Sequence, residues 1–222
     1  MIPLEDIKDA RHVVIVTRDG RFLPSASALY SYVLGLHKKV SLVCFEKYID
    51  KKFSFLPWFK TIKSSSPSSA DLVLELDEGI FELYDFFKKN NAKLNKKMST
   101  ALYASLLVQY NGFLSAKISA ETFDIASELI KCGADYKTSH EFIIKRTTLA
   151  RMRLKSIMFK NMILQNDAKE MVFKLCEDDL SCSGATLEDA KIIIEEALGL
   201  EYIQNVILLQ DNKILKSIYK GN

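Results

Sequence analysis

Two carboxylates in this sequence follow runs of residues that are typical of buried strands, where a metal ion could be bound. Asp19 comes shortly after the β-branched run 12–17, and Asp77 closes the apolar run 71–77. Divalent ions that catalyse hydrolysis require several oxygen or imidazole ligands. The three histidines stand near the ends of predicted elements, and we interpret them as structural or exposed: His12, His37 and His140.

The loop that contains Asp19 suggests a second chemistry. Arg18 and Arg21 lie just before a predicted helix, and Ser25 and Ser27 lie near its beginning. Arginine side chains and the N-terminus of a helix can together bind a phosphate group without a metal. The sequence therefore predicts a phosphate site at these four residues. The alternative interpretation is that both arginines are solvated surface charges.

These residues are positioned by a strand–helix–strand unit. A strand over 12–17, a helix from about Pro24 to Leu36 and a strand over 39–44 fit within about 30 residues, which predicts a βαβ unit with a parallel sheet. A third strand is predicted over 71–77. It is followed by four predicted helices, over 80–89, 96–107, 119–131 and 140–162.

A break at Gln165-Asn166-Asp167 precedes a second region. It contains a predicted strand over 170–176, a helix over 187–198 with Thr186 as N-cap, and strands over 206–209 and 214–219 joined at Asp211-Asn212. The predicted class is therefore α/β, with a parallel Rossmann-like sheet, flanking helices and a small C-terminal αβ appendage. We assign residues 1–163 to the first domain and 168–222 to the second.

Composition limits the classes of function. Of 222 residues, 48% are hydrophobic, which is enough to form a core, and the net charge of +3 does not require a nucleic-acid partner. No apolar run approaches 18 residues and the N-terminus is acidic, so neither a membrane partner nor a signal peptide is expected. The four cysteines lack CxxC spacing, which predicts reduced thiols in a cytoplasmic protein.

Three stretches carry a resemblance to a known family. The first is Ser25-Ala26-Ser27-Ala28-Leu29-Tyr30 with Lys38-Lys39-Val40. The second and most specific is 99–135, which includes Asn111-Gly112-Phe113 and ends in Gly133-Ala134-Asp135. The third runs from Asp178 to Tyr219. Together they resemble the DHH phosphoesterases, which are RecJ-like and include bacterial oligoribonucleases and phosphoadenosine-phosphate phosphatases, with a shortened C-terminal associated domain.

The resemblance implies a two-manganese site that this sequence has largely lost. Of the first family motif only Asp19 remains, and Asp77 matches the second, although it could also cap a strand end. The Asp-His-His segment is missing, and Gln109 stands where the fourth motif has an aspartate. A neutral amide cannot replace a bridging carboxylate. Near the C-terminus, Tyr219 stands close to the place of a substrate-binding arginine in the family.

We therefore expect a degenerate family member without catalytic residues or a cofactor. It would act as a binding or assembly module for a protein partner, a second copy of itself or a phosphate-bearing ligand such as a nucleotide or short nucleic acid. The alternative is a manganese-dependent phosphoesterase acting on short oligonucleotides or phosphoadenosine phosphate, with an unusual site or one completed by another subunit.

Overall fold

A computed structural model describes residues 2–46, 48–67, 69–77, 79–210 and 213–220. The chain divides into two compact units, Met1–Arg146 and Thr147–Asn222. The helices are α1 (Leu4–Asp9), α2 (Leu23–Gly35), α3 (Ile80–Lys89), α4 (Lys96–Gln109), α5 (Ala120–Lys131), α6 (Tyr136–His140), α7 (Leu149–Lys160), α8 (Glu177–Ser183) and α9 (Leu187–Leu198). The strands are β1 (His12–Thr17), β2 (Lys39–Cys44), β3 (Leu72–Glu75), β4 (Ile163–Gln165), β5 (Glu170–Leu175), β6 (Asn205–Gln210) and β7 (Lys213–Tyr219).

The first unit is built on a parallel sheet with the strand order β2-β1-β3. Every residue of the central strand β1 is buried, as its β-branched sequence predicts for a strand covered on both sides. Ile15 lies beside Leu42 and Leu74 in the neighbouring strands, and all three join the main core of the unit. On the opposite face a smaller apolar cluster includes Val14, Val16 and Val43, with Ala70 packed against it.

Helices α2 and α4 form the centre of that core. Small residues make up much of each helix, and Ala26, Ala28, Ala101 and Ala104 are fully buried. Small side chains let two helix axes approach closely, so the backbones of α2 and α4 lie near one another. This packing holds the beginning of α2 and the end of α4 in fixed positions beside the sheet.

The predicted long helix over 140–162 is wrong. Helix α6 ends at His140, a π-helical turn spans Glu141–Lys145, and the backbone of Arg146 is extended. Thr148 then begins α7 as an N-cap, because its hydroxyl accepts a hydrogen bond from the backbone N–H of Arg151 at 3.1 Å. A threonine that satisfies a free N–H in this way favours a new helix over continuation of the old one.

The second unit contains a mixed sheet with the order β4-β5-β6-β7, in which only β5 and β6 are parallel. Leu154 and Met158 of α7 are buried in its core together with α9. Because α7 packs here, the second unit begins earlier than the sequence-based boundary at 163–168. Strand β4 and helix α8 were not predicted, and the predicted turn at Asp211-Asn212 lies outside the described residues.

The predicted α/β class with a parallel sheet, flanking helices and a C-terminal αβ region is confirmed. Strands 12–17 and 39–44 and helix 187–198 have the predicted bounds. Across the described ranges, no helix is long and apolar enough to cross a membrane.

Candidate functional site

The carboxyl ends of β1 and β3 form one edge of the first sheet, and the loops with Asp19 and Asp77 both leave from it. The two strands are adjacent and parallel, so their ends coincide. The contact continues one residue past the end of β3, where the backbone N–H of Leu76 donates to the carbonyl of Val16 at 2.8 Å. The Arg18 guanidinium bonds to Glu75 at 2.9 Å and joins the two strand ends across this edge.

Asp19 is held by its own loop. Its carboxylate accepts hydrogen bonds from the backbone N–H of Arg21 at 2.8 Å and from the Arg21 side chain at 2.7 Å. Asp19 thereby caps the short 3-10 helix Gly20–Phe22. The hydrogen bond from the Arg21 side chain is the main reason that the pKa of Asp19 lies below its ordinary value. Both carboxylate oxygens are therefore already bound by protein donors.

Glu46 also belongs to this edge, although the sequence reasoning missed it. It follows β2 by two residues, and its carboxylate accepts a hydrogen bond from the backbone N–H of Gly20 at 2.6 Å. A Cβ atom at Gly20 would lie 2.3 Å from Glu46 Oε2, so a larger residue there would displace the Glu46 carboxylate from this hydrogen bond. The signal that could have found Glu46 is its position after a predicted strand parallel to the one before Asp19.

Asp77 differs from Asp19, because it is exposed and its side chain has no partner among the residues that the structure describes. It lies two residues beyond β3, because the strand ends at Glu75 and not at 77 as predicted. A single solvated carboxylate can attract a cation but does not by itself form a metal site.

Gln109 is the last residue of α4 and serves a different element. Its side-chain oxygen accepts a hydrogen bond from the backbone N–H of Ile80, the first residue of α3, at 3.0 Å. Its side-chain nitrogen donates to the hydroxyl of Ser105 at 3.2 Å, and that hydroxyl is 2.7 Å from the hydroxyl of Ser25. Gln109 thus caps α3 and links it to α2 through two serines.

The structure does not bring the four residues of the predicted phosphate site onto one open surface. Arg18 is paired with Glu75 and Arg21 with Asp19, although both arginines are largely exposed. Ser25 is fully buried and bonded to Ser105, as described above. Ser27 is also buried, and its hydroxyl donates to the carbonyl of Pro57 at 2.5 Å. The hydroxyls of both serines therefore bond to another helix or loop, and they do not face the exposed guanidinium groups of the two arginines.

The residues at this edge do not fit the two-manganese site that the family resemblance implies. Both oxygens of Asp19 are engaged, Asp77 stands alone, and Gln109 is neutral and already bonded on both sides. Within the described part of the chain, no group of three or more His, Cys, Asp or Glu side chains could hold a metal. His12 is not available as a metal ligand either, because its two ring nitrogens hydrogen-bond to the Ser41 hydroxyl and to the carbonyl of Ser69.

Comparisons with known proteins bear on the fold. No known family profile matches the sequence, and no curated protein matches it. An exopolyphosphatase-related protein from Bacteroides fragilis aligns with a TM-score of 0.74 at 13% identity, over 94% of this chain and 78% of that chain. A proposed family II inorganic pyrophosphatase from Methanococcus jannaschii aligns at 14% identity over 90% of this chain and 83% of its own. Its TM-score of 0.37 is too low to establish a shared fold. The first likeness shows that the two chains share a fold.

Proposed function

We propose that this chain is a non-catalytic, RecJ-like relative of the DHH phosphoesterases. It acts as a binding or assembly module and binds a protein partner or a phosphate-bearing ligand. The observation that carries the proposal is the hydrogen bonding of Gln109. The amide at this position accepts from the N-terminus of α3 and donates to Ser105, so it has a structural role where the family has a metal ligand.

The charges at the sheet edge support the same conclusion. Asp19 is neutralised by Arg21, and Glu75 by Arg18, so two carboxylates near the strand ends are balanced by cations of the chain itself. A catalytic two-metal site requires carboxylates whose charge is balanced by the bound ions. Asp19 and Glu75 therefore do not need a metal ion to balance their charge.

The exposed edge of the first sheet favours an assembly role. β3 stands at the end of the strand order, and Val73 on it is half exposed. An edge strand with an exposed apolar side chain can pair with a second chain. The expected partner is a second copy of this protein, and light scattering coupled to size-exclusion chromatography should give the mass of a dimer.

Manganese titration and hydrolysis assays test whether the chain is an enzyme. Isothermal titration of the full chain with Mn²⁺ should show no tight binding, and short RNA, short DNA and phosphoadenosine phosphate should remain uncleaved above buffer. Loss of one bridging ligand in a two-metal site can cost about a hundredfold in rate. This sequence lacks the family ligands at several motif positions, among them the Asp-His-His segment and the aspartate replaced by Gln109.

Asp77→Asn is the decisive variant for this test, and Asp124→Asn is its control, because Asp124 is an exposed carboxylate on α5. If the wild type shows manganese-dependent turnover that Asp77→Asn abolishes and Asp124→Asn retains, the chain is a working phosphoesterase and the proposal is wrong.

A further inference from the structure

The first unit contains an open cleft of about 560 Å³ that lies between the turn Asn111–Phe113 and helices α4, α5 and α6. Ligand pockets in proteins usually enclose about 300–1,000 Å³ and combine an apolar lining with a few polar groups. Four ring side chains line this cleft, together with one lysine: Tyr103, Phe113, Phe123, His140 and Lys131.

Two of the rings form an accessible stacking surface. Phe113 and Phe123 are stacked with their centroids 5.5 Å apart and their planes 26° from parallel. Phe123 is 52% exposed, although a phenylalanine in a monomeric protein is more often covered. A planar ring that enters the cleft could stack on this pair with little change in the protein, because the two phenylalanines already hold one another in place.

Tyr103 and His140, whose ring centroids lie 6.0 and 6.3 Å from that of Phe113, supply a polar edge beside it. The hydroxyl of Tyr103 shares a hydrogen bond of 3.0 Å with Nε2 of His140, and Tyr103 is buried. Burial lowers the pKa of His140, and Lys145 lowers it further, so the ring is neutral near pH 7. A neutral imidazole offers one donor and one acceptor. With Nε2 engaged, Nδ1 is left without a protein partner in the described ranges and is free to bond to a ligand.

The backbone at the cleft is held in an uncommon conformation. Asn111, Gly112 and Phe113 have φ values of 47°, 65° and 69°, all in the left-handed region. Phenylalanine rarely adopts this region, and such positions concentrate at binding sites. Hydrogen bonds from the N–H groups of Leu114 and Ser115 to the carbonyl of Tyr110 fix the turn and so orient the Phe113 ring.

We propose that this cleft binds a planar heteroaromatic ligand that carries one acidic group, with the ring stacked on Phe113 and Phe123 and the acidic group near Lys131. Lys131 is exposed at the end of α5 and supplies the positive charge. The acidic group can be a carboxylate or a phosphate, because both are recognised by an ammonium group. The lining of the cleft includes none of the carboxylates and arginines at the sheet edge, so the proposal does not depend on whether that edge is catalytic.

Nuclear magnetic resonance titration of the full chain tests the proposal with three probes. Indole-3-acetate and adenosine monophosphate carry the two kinds of acidic group, and adenosine carries none. The two acidic probes should bind with dissociation constants below about 1 mM and shift the amide signals of Phe113, Phe123 and His140. If neither acidic probe shifts these signals, the cleft is not a site for this class of ligand.

Phe123→Ala should weaken binding of all three probes by about tenfold, because stacking on an aromatic side chain contributes that much per ring. Phe123→Leu keeps the apolar volume and serves if the alanine variant does not fold. Tyr202→Ala removes a ring that is 71% exposed in the second unit and should change nothing. Equal affinities of the Phe123 and Tyr202 variants would overturn the proposal.

Lys131→Ala measures the contribution of the acidic group to binding separately from that of the ring. It should weaken indole-3-acetate and adenosine monophosphate by about two- to fivefold, as expected for an exposed charge pair, and should leave adenosine unchanged. Lys174→Ala, at an exposed lysine on β5, is the matched control. If Lys131→Ala weakens adenosine as strongly as the acidic probes, Lys131 does not bind the acidic group and that part of the proposal is wrong.

Discussion

Position 109 illustrates how one side chain decides the chemistry of its surroundings. Aspartate is a charged acceptor that can bridge metal ions, whereas glutamine is neutral, longer, and both a donor and an acceptor. Gln109 uses its extra length to reach the N–H of Ile80 and its amide nitrogen to reach Ser105. An ionised carboxylate could accept from the N–H of Ile80 but could not donate to Ser105, whose hydroxyl would have to become the donor.

Gln109→Ala should lower the free energy of unfolding of the chain by about 1–2 kcal/mol, because it leaves the N–H of Ile80 at the start of α3 without its acceptor. Gln109→Glu keeps an oxygen within reach of that N–H and should cost less. Urea denaturation followed by circular dichroism measures both changes. Equal losses in the two variants would contradict the assigned cap.

Arg18 and Arg21 remain candidates for an anion site, because exposed ion pairs contribute only about 0.2–1 kcal/mol and an incoming anion can displace them. If the loop binds phosphate, inorganic pyrophosphate should raise the melting temperature in the presence of chelator, by about 2–4 °C for each kcal/mol of binding. Arg18→Ala with Arg21→Ala should abolish the shift, whereas Lys8→Ala, which breaks an exposed pair with Glu5, should not. Absence of any shift in the wild type would leave both arginines as surface charges.

At the scale of elements, the turn before α5 depends on a glycine. Gly112 has a φ of 65°, and a Cβ there would lie 2.8 Å from the end of the Ile144 side chain. Gly112→Ala should therefore lower the free energy of unfolding by about 1 kcal/mol or more. Gly35, at the end of α2, has no positive φ, and a Cβ added there would meet no heavy atom within 4 Å, so Gly35→Ala should raise the free energy of unfolding by up to about 1 kcal/mol. Equal effects in thermal denaturation would contradict this reasoning.

Helices α7 and α9 are joined by an ion pair that is mostly buried. Arg151 Nε lies 2.8 Å from Asp189 Oδ1, and the two side chains are 22% and 14% exposed. Asp189 also completes the capping box of α9 with Thr186. Burial alone would raise the pKa of Asp189, but hydrogen bonds from Thr186 and Arg151 outweigh it, and the pKa is lowered.

A lowered pKa makes the contribution of Asp189 to stability dependent on pH. The stabilisation is complete above the ordinary aspartate pKa and is lost as the pH falls through the lower pKa of the folded state. Asp189→Ala should cost about 1–3 kcal/mol at pH 7 and flatten the acid limb of the stability curve. Glu188→Ala removes an adjacent exposed carboxylate and should cost no more than about 0.5 kcal/mol. An unchanged acid limb in Asp189→Ala would contradict the assignment.

At the scale of the whole molecule, the described residues form a large apolar core in each of the two units. One includes Ile15, Leu29 and Leu102 in the first unit, and the other includes Leu154 and Phe173 in the second. The segment between α6 and α7 is where the chain passes from one compact unit to the other. Each unit buries its own apolar residues and can be considered as a folding unit by itself.

A fragment of residues 147–222 should therefore fold, whereas 168–222 should not. The shorter fragment lacks Leu154 and Met158, which are 0% and 1% exposed. Loss of each such side chain from a core costs about 2–5 kcal/mol, which is comparable with the whole stability of a small domain. Dispersion of amide signals in nuclear magnetic resonance spectra distinguishes the two outcomes. A folded 168–222 fragment would show that α7 is not part of this core.

Local sequence patterns determined the fold class and most of the elements. The β-branched run of β1 and the N-cap at Thr186 each depend on neighbouring residues, so they can be recognised without a structure. Both strand-end carboxylates, Asp19 and Asp77, were also located this way. The break between α6 and α7 was missed because the apolar pattern continues across it, although Thr148 is a recognisable N-cap.

Only the tertiary structure decided what these side chains contact. Ser25 meets Ser105 across 80 positions, and Gln109 meets Ile80 across 29, so neither hydrogen bond could be predicted from spacing along the chain. The pairing of Arg18 with Glu75 depends on β1 and β3 lying side by side. The aromatic cleft likewise depends on packing, because α4, α5 and α6 bring its rings together from separate segments. Periodicity reveals which face of an element is apolar, but the folded chain determines which faces meet.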